Sequence, residues 1–181
     1  VSQPLKEIQC QKQAKIIDSI IADMDFGFLY DKNRDLFRIG YSFNQKRFDK
    51  NHYDLLASET RLTSFLAIAQ NQVPLRHWFS LSRPTSATDG RLTLLSWGGS
   101  IFEYLFPLIM MPNSQQTLLS ESYDTAVQLQ ISYGNKNQVP WGVSESSYGL
   151  KNKDGHYRYK LHGIPALSLR QVPYKELVIS P

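Results

Sequence analysis

Three glutamates in this sequence, Glu59, Glu103 and Glu145, sit beside aromatic or apolar residues, whereas the other acids lie mainly in polar surroundings. Cleaving or transferring an acetal needs two carboxyl groups flanking one bond, one holding a proton and one ionised. Glu145 lies in Val139-Pro140-Trp141-Gly142-Val143-Ser144-Glu145-Ser146-Ser147-Tyr148-Gly149, where the proline and two glycines exclude a regular helix. This stretch reads as a shaped loop in which a carboxylate stands among hydroxyls. Taken alone, each glutamate has an ordinary reading as a solvated or ion-paired surface acid.

The elements around these residues follow from periodicity. Residues 14–22 space their apolar side chains as an amphipathic helix does, and residues 26–43 place two β-prone runs around an Asp-Lys-Asn-Arg turn, a hairpin pattern. Residues 44–51 are charged and read as a loop. Residues 53–70 read as the clearest helix, capped by Asp54, with Leu55, Leu62, Leu66 and Ala69 on one stripe. Glu59 falls inside that stripe. Arg61 is the nearest candidate for an ionic partner.

Residues 73–89 read as a connector carrying His77-Trp78-Phe79, and residues 90–96 as a strand. Ser100 caps a predicted buried helix that carries Glu103 and Tyr104, and Pro107 shortens it. Residues 120–133 form a third predicted helix closed by Gly134, and residues 156–162 alternate basic and apolar residues as a half-buried strand or extended loop does.

On these environments Glu59, on a buried stripe, suits the proton donor, because burial disfavours the charged form of a carboxyl. Glu145, among hydroxyl and amide donors, is expected to stay ionised and suits the nucleophile. Trp97, Trp141, Tyr104 and Tyr148 have rings that could stack on sugar faces, although a single Trp or Tyr is more often a core residue.

Composition narrows the alternatives. At 181 residues, 41% of them hydrophobic, the chain can bury a sizeable core, which sets disorder aside. The net charge of +4 comes from scattered Lys and Arg; the densest cluster, Lys46-Arg47 with Lys50, also holds Asp49, so nucleic acid is not the expected partner. The single cysteine, Cys10, rules out an internal disulfide. The four histidines lack the HExxH spacing of a metal site, and neither a metal nor another cofactor is expected. The apolar block at residues 101–111 is too short to span a bilayer. A first residue Val and a last run Leu177-Val178-Ile179-Ser180-Pro181 that stops among apolar residues suggest a piece of a longer protein.

Three long motifs in order carry a resemblance: Tyr53-Asp54-Leu55-Leu56-Ala57-Ser58-Glu59-Thr60-Arg61-Leu62, Leu95-Ser96-Trp97-Gly98-Gly99-Ser100-Ile101-Phe102-Glu103-Tyr104-Leu105-Phe106-Pro107, and the 139–148 stretch quoted above. Together they resemble the glycoamylase-like domain in the middle of bacterial cyclic β-1,2-glucan synthases. The resemblance implies a mainly α fold, part of an (α/α)6 toroid with long loops and a short β-hairpin. Residues 26–181 would be a partial domain, truncated at the C-terminus, and residues 1–25 a helical lead-in. A full toroid of twelve helices would need roughly 300 residues at about 12 residues per helix plus loops.

The implied activity is retaining transglycosylation that closes a linear β-1,2-glucan into a ring. Glu59 and Glu145 are the implied catalytic pair. Glu103, Trp97, Trp141, Tyr104, Tyr148 and Arg61 are the implied substrate contacts. The partners would be a β-1,2-glucan and the other domains of a multidomain synthase in a bacterial inner membrane, with this domain on the cytoplasmic side. A β-1,2-glucan hydrolase and a non-catalytic glucan-binding segment are the alternatives. The resemblance leaves open which glutamate is the nucleophile.

Overall fold

Residues 3–88, 90–159, 161–170 and 177–180 are described by this computed structural model. They begin with helix α1 (Gln3–Asp23), followed by strands β1 (Tyr30–Asp31) and β2 (Leu36–Arg38). A small hairpin of β3 (Tyr41–Ser42) and β4 (Arg47–Phe48) precedes β5 (His52–Tyr53), which returns to pair with β2. Helices α2 (Arg61–Ala69) and α3 (Arg76–Ser80) lead to the hairpin β6 (Thr85–Thr88) and β7 (Arg91–Leu94). Helices α4 (Ile101–Leu105) and α5 (Leu118–Asn137) follow, and then the hairpin β8 (Ser147–Lys151) and β9 (Tyr157–Tyr159).

The expectation of a mainly α fold built as part of an (α/α)6 toroid is overturned, because the described residues form a mixed α/β structure of five α-helices and four small sheets. Three of the helices are too short to pair as toroid hairpins: α2 has nine residues, α3 and α4 five each. Backbone that is not helical must still pair its N–H and C=O groups when buried. Here it does so in two- and three-stranded antiparallel sheets.

The predicted 26–43 hairpin is present as β1–β2, with Tyr30 opposite Phe37 and Asp35 at φ 54° in the turn. The predicted 44–51 loop instead contains half of the β3–β4 hairpin, in which Tyr41 faces Phe48 across the ladder. Aromatic cross-strand contact supplies that pairing; the two ring centroids are 4.9 Å apart. Residues 157–159 of the predicted 156–162 strand are β9, while Lys160 lies outside the described residues, as do residues 171–176 and Pro181 near the C-terminal apolar run.

The main core forms where α5 lies against β7. Its buried face carries small residues, Ser122, Thr125 and Ala126, which let the strand approach closely. Ser122 Oγ accepts the Leu94 N–H at 2.9 Å and donates to Leu118 O at 2.6 Å. Leu56, Leu81, Leu94, Ile101, Tyr104, Tyr123, Val143, Ile164 and Leu167 fill the space between. A second cluster of Phe37, Ala67 and Val73 sits under the β1–β2–β5 sheet.

Helix α5 starts two residues earlier and ends four later than periodicity predicts. Thr117 caps it by accepting the Ser120 N–H at 3.2 Å, and Gln138 closes it in the left-handed region. Gly134 therefore lies inside the helix, where a side chain would press on Trp141 as the chain folds back. Helix α1 contains the predicted 14–22 helix but begins at Gln3, and Ile16, Ile17 and Ile20 on it remain more than half exposed. Its C-terminal end is tied to the body by Gln72 Nε2, which donates to Met24 O at 2.5 Å.

Two backbone segments touch directly, residues 96–99 and 163–170. Ser96 bridges Ser168, Ile164 N–H donates to Gly99 O at 2.9 Å, and Arg170 N–H donates to Trp97 O at 3.1 Å. Only glycine fits at the crossing: a Cβ on Gly163 would stand 2.1 Å from Gly98 O, and Gly99 has φ +72° with Ile164 O 2.3 Å from its would-be Cβ. Both clashes are with backbone, which cannot rotate away as a side chain can. Gly163→Ala is therefore expected to cost at least about 1–3 kcal/mol, read as a lowered denaturation midpoint in urea.

Candidate active site

Glu59 owes its position to a strand rather than to a helix. Ser82 N–H donates to Asp54 O at 2.6 Å, Leu56 N–H donates to Ser82 O at 3.0 Å, and Tyr53 pairs with Phe37 in β5. With the backbone of residues 53–56 committed to β pairing, α2 can begin only at Arg61, so the predicted 53–70 helix is shortened from its N-terminal side. Asp54 is not its cap. Glu59 stands in the turn just before it, half-buried, its two oxygens accepting hydrogen bonds from the Ser58 and Thr60 hydroxyls at 3.2 Å each.

Arg61, the sequence's candidate ionic partner for Glu59, is 1% exposed and points into the core. Its guanidinium donates to Leu56 O at 2.8 Å and Tyr104 O at 3.1 Å, and lies 5.5 Å from the centre of the Tyr123 ring. Burial lowers its pKa, and the Tyr123, Tyr104 and Glu59 side chains oppose that shift. Tyr104 is equally buried and donates its hydroxyl to Leu94 O at 2.8 Å. The structure thus places Arg61 and Tyr104 behind the site, where they hold its walls.

Glu103 is 5% exposed, and both its oxygens are engaged. Oε1 accepts the Gly98 N–H at 3.1 Å; Oε2 accepts the Ser96 hydroxyl at 2.8 Å and the Ser100 N–H at 2.9 Å. The last bond belongs to a capping arrangement at the start of α4, with Ser100 as N-cap and Glu103 three residues on. Burial pushes the Glu103 carboxyl above the ordinary range; its three hydrogen bonds pull it back and the charge of Glu59 pushes it up. This carboxyl organises the loop that carries Trp97.

Glu145 is held by the backbone on its N-terminal side. Gln130, fully buried on α5, donates from Nε2 to Val143 O at 3.0 Å and accepts the Val143 N–H on Oε1 at 2.8 Å. Ile101 N–H also donates to Val143 O, at 3.2 Å, and Ser180 N–H donates to Gly142 O at 3.1 Å. The Glu145 N–H donates to Ser100 Oγ at 3.0 Å. Among the described residues no hydrogen bond reaches the Glu145 carboxylate; the neighbouring Ser100 hydroxyl accepts the Glu145 backbone N–H instead.

Burial pushes the Glu145 carboxyl above the ordinary range, and the charge of Glu59 pushes it further in the same direction. The donor-rich loop therefore does not supply the hydrogen bonds expected to hold Glu145 ionised: the hydroxyls are present in the loop but are not aimed at its carboxylate. The same charge of Glu59 acts on Glu103. Three glutamates from separate parts of the sequence thus share one electrostatic neighbourhood.

Tyr53 belongs to it as well and was missed by sequence reasoning. Burial raises its phenol pKa, and Glu59 and Glu145 both raise it further by repelling a phenolate, while an interaction with the Thr60 side chain lowers it. Assigning residues 53–70 to one helix hid it.

The aromatic candidates divide by exposure. Trp97 is 55% and Trp141 46% exposed, so both present ring surface to solvent. Tyr148, half-buried at the start of β8, has the Arg158 guanidinium 5.6 Å from its ring centre and meets the His162 ring edge-on at 6.3 Å. Among the described residues no cluster of three or more His, Cys, Asp or Glu is arranged to hold a metal ion.

A family model described as "Putative glucoamylase" matches residues 51–181. The cyclic beta-(1,2)-glucan synthase NdvB of Rhizobium meliloti (strain 1021) is 41% identical over 162 residues, which make up 90% of this chain and 6% of that protein. The chain therefore spans a small part of the length of that curated relative.

Two predictions follow from the carboxylate environments. Glu103→Gln replaces an acceptor oxygen with an NH2 group facing donors, so an expected loss of about 1–3 kcal/mol should appear in chemical denaturation. Glu145→Gln should have the opposite sign. The folded-state pKa of Glu145 is raised above its ordinary 4.5, so its cost to the fold is absent below that value and grows as pH rises through the folded pKa. Thermal unfolding should show Glu145→Gln more stable than the parent at neutral pH, with the difference vanishing below pH 4.5.

Proposed function

The chain belongs to the glycoamylase family, a match that supports a carbohydrate-active role, and from that premise we propose that it is the transglycosylating part of a cyclic β-1,2-glucan synthase. Residues 26–181 are read as part of a glycoamylase-like domain, residues 1–25 as its helical lead-in, and the other domains of such a synthase as its partners. The supporting facts are the family match over residues 51–181 and the 41% identity to a glucan synthase.

One observation carries the mechanistic reading: the charge of Glu59 raises the pKa of Glu145, although the two are far apart in the chain. Like charges forced into one site cannot both ionise freely, and such a pair keeps one proton available at a higher pH than a lone carboxyl would. In the retaining reaction one carboxyl gives its proton to the bridging O2 as the C1–O2 bond breaks, and the other carboxylate attacks C1 to form a glycosyl ester. The 2-hydroxyl at the far end of the same glucan then attacks C1, loses its proton to the first residue and closes the ring. Water in place of that hydroxyl gives hydrolysis. With no substrate bound, burial and the charge of Glu59 both push the Glu145 carboxyl above its ordinary range.

Trp97 and Trp141, half exposed in the loops that adjoin Glu103 and Glu145, are the proposed stacking surfaces for the glucan. Glu59→Gln and Glu145→Gln in the full-length protein are each expected to lower glucan transfer by about 10²–10⁴-fold, measured by release of cyclic product. Added azide should give a glycosyl azide of inverted configuration in the variant that lacks the nucleophile and of retained configuration in the variant that lacks the acid/base. Full transfer activity in either variant would remove that glutamate from the catalytic pair. A protein that still binds β-1,2-glucan through the tryptophans but is indifferent to both substitutions would be the non-catalytic glucan-binding segment.

A further inference from the structure

Among the described residues, the backbone that anchors Glu145 lies mainly on its N-terminal side. Val143, two residues before it, has both backbone groups engaged by Gln130 and Ile101, while β8, two residues after it, is largely exposed. The bond of residue 145 itself to the body of the protein is its N–H to Ser100 Oγ, at 3.0 Å. Ser100 is fully buried; its hydroxyl also lies 3.4 Å from Ser144 Oγ, and its own N–H is taken by Glu103 Oε2 at 2.9 Å. The other oxygen of Glu103 takes the Gly98 N–H at 3.1 Å, which ties the whole 96–100 loop to the same carboxyl.

We propose that Ser100 and Glu103 are positioning residues that set the Glu145 carboxyl against Glu59, Glu103 acting through Ser100 rather than by touching substrate. This rests on the reading of Glu59 and Glu145 as the catalytic pair. Glu103 is 5% exposed and both its oxygens already accept bonds from the 96–100 loop, so it is the loop and not solvent-side substrate that this carboxyl faces. Removing the Ser100 hydroxyl turns residue 145 into a hinge between a pinned Val143 and an exposed hairpin. A displacement of about 1 Å at a reacting group is enough to cost on the order of 10²-fold in rate.

The groups that face this assembly are Glu59 and Tyr53 toward Glu145, Glu59 and Tyr104 toward Glu103, and Arg61 behind them. Relaxing the 145 position moves its carboxyl into water and away from Glu59, so its titration falls toward that of an ordinary carboxyl.

Ser100→Ala, Glu103→Gln and the double variant test this in the full-length protein. The expected result is a kcat lowered about 10- to 100-fold with KM within about threefold, and a double variant no worse than the poorer single one, since the two residues act in series. A 13C titration of the Glu145 side chain should move downward in Ser100→Ala. Glu103→Gln leaves the Ser100 hydroxyl in place, so it keeps the question answerable where the alanine variant folds poorly: amide exchange at Glu145 should quicken in it.

Unchanged kcat and unchanged Glu145 titration in Ser100→Ala would overturn the proposal, as would a raised KM with kcat intact in Glu103→Gln, the mark of direct substrate binding. Failure of the parent reading looks different. Wild-type transfer by Glu59→Gln or Glu145→Gln removes the catalytic pair, whereas the Glu145 titration and amide exchange still report whether Ser100 and Glu103 hold that side chain.

Discussion

A carboxylate removed from water governs this structure. Glu103 sits in the interior with three donors from the loop at residues 96–100 converging on it, and together with the backbone bonds to residues 163–170 they fix that loop's shape. A buried charge left unpaired costs several kcal/mol, so the loop folds around it in the one arrangement that satisfies both oxygens. That arrangement caps α4, presents the Ser100 hydroxyl to Glu145 and leaves Trp97 facing solvent. The glycines are part of the same constraint, because residues 98–99 and 163 meet backbone to backbone.

Around this hub the protein spends buried polar groups on backbone rather than on one another. Gln130 serves Val143 as a neighbouring strand would, Arg61 closes two carbonyls, and Ser122 links α5 to β7. Such bonds fix irregular segments that no regular ladder could reach. They hold a short turn and a loop, on different elements, near enough for Glu59 to repel Glu145. The repulsion is a cost to the fold, and sites that gather like charges commonly carry one because the chemistry needs a proton held above its ordinary range.

The helices show where periodicity reaches its limit. Residues 62–69 do form a helix and residues 54–60 do not, although one apolar stripe runs through both. The difference is the pairing of residues 53–56 with β2 and with Ser82, which uses the backbone groups a longer helix would need. The β3–β4 hairpin arose in a segment whose charge suggested a loop, because Tyr41 and Phe48 are brought face to face only when the strands pair. The toroid expectation came from the family resemblance, and it is overturned because the described residues form only two long helices, α1 and α5, the rest being short helices and small sheets.

The sequence by itself determined which residue types matter. It singled out Glu59, Glu103 and Glu145 by their unusual neighbours, located the β1–β2 hairpin and the cores of α2, α4 and α5, and carried three motifs that point to one family. Those features are local: they depend on spacing, on proline and glycine, and on caps within a few residues. The tertiary structure alone decided that Glu59 lies in a turn, that the Glu103 oxygens are taken by the 96–100 loop, that Arg61 turns away from its supposed partner, and that Tyr53 joins the group. It also withheld from Glu145 the donors its loop offers, because a hydroxyl nearby in sequence stabilises a carboxylate only when it points at it, and that direction is set by contacts between segments distant along the chain.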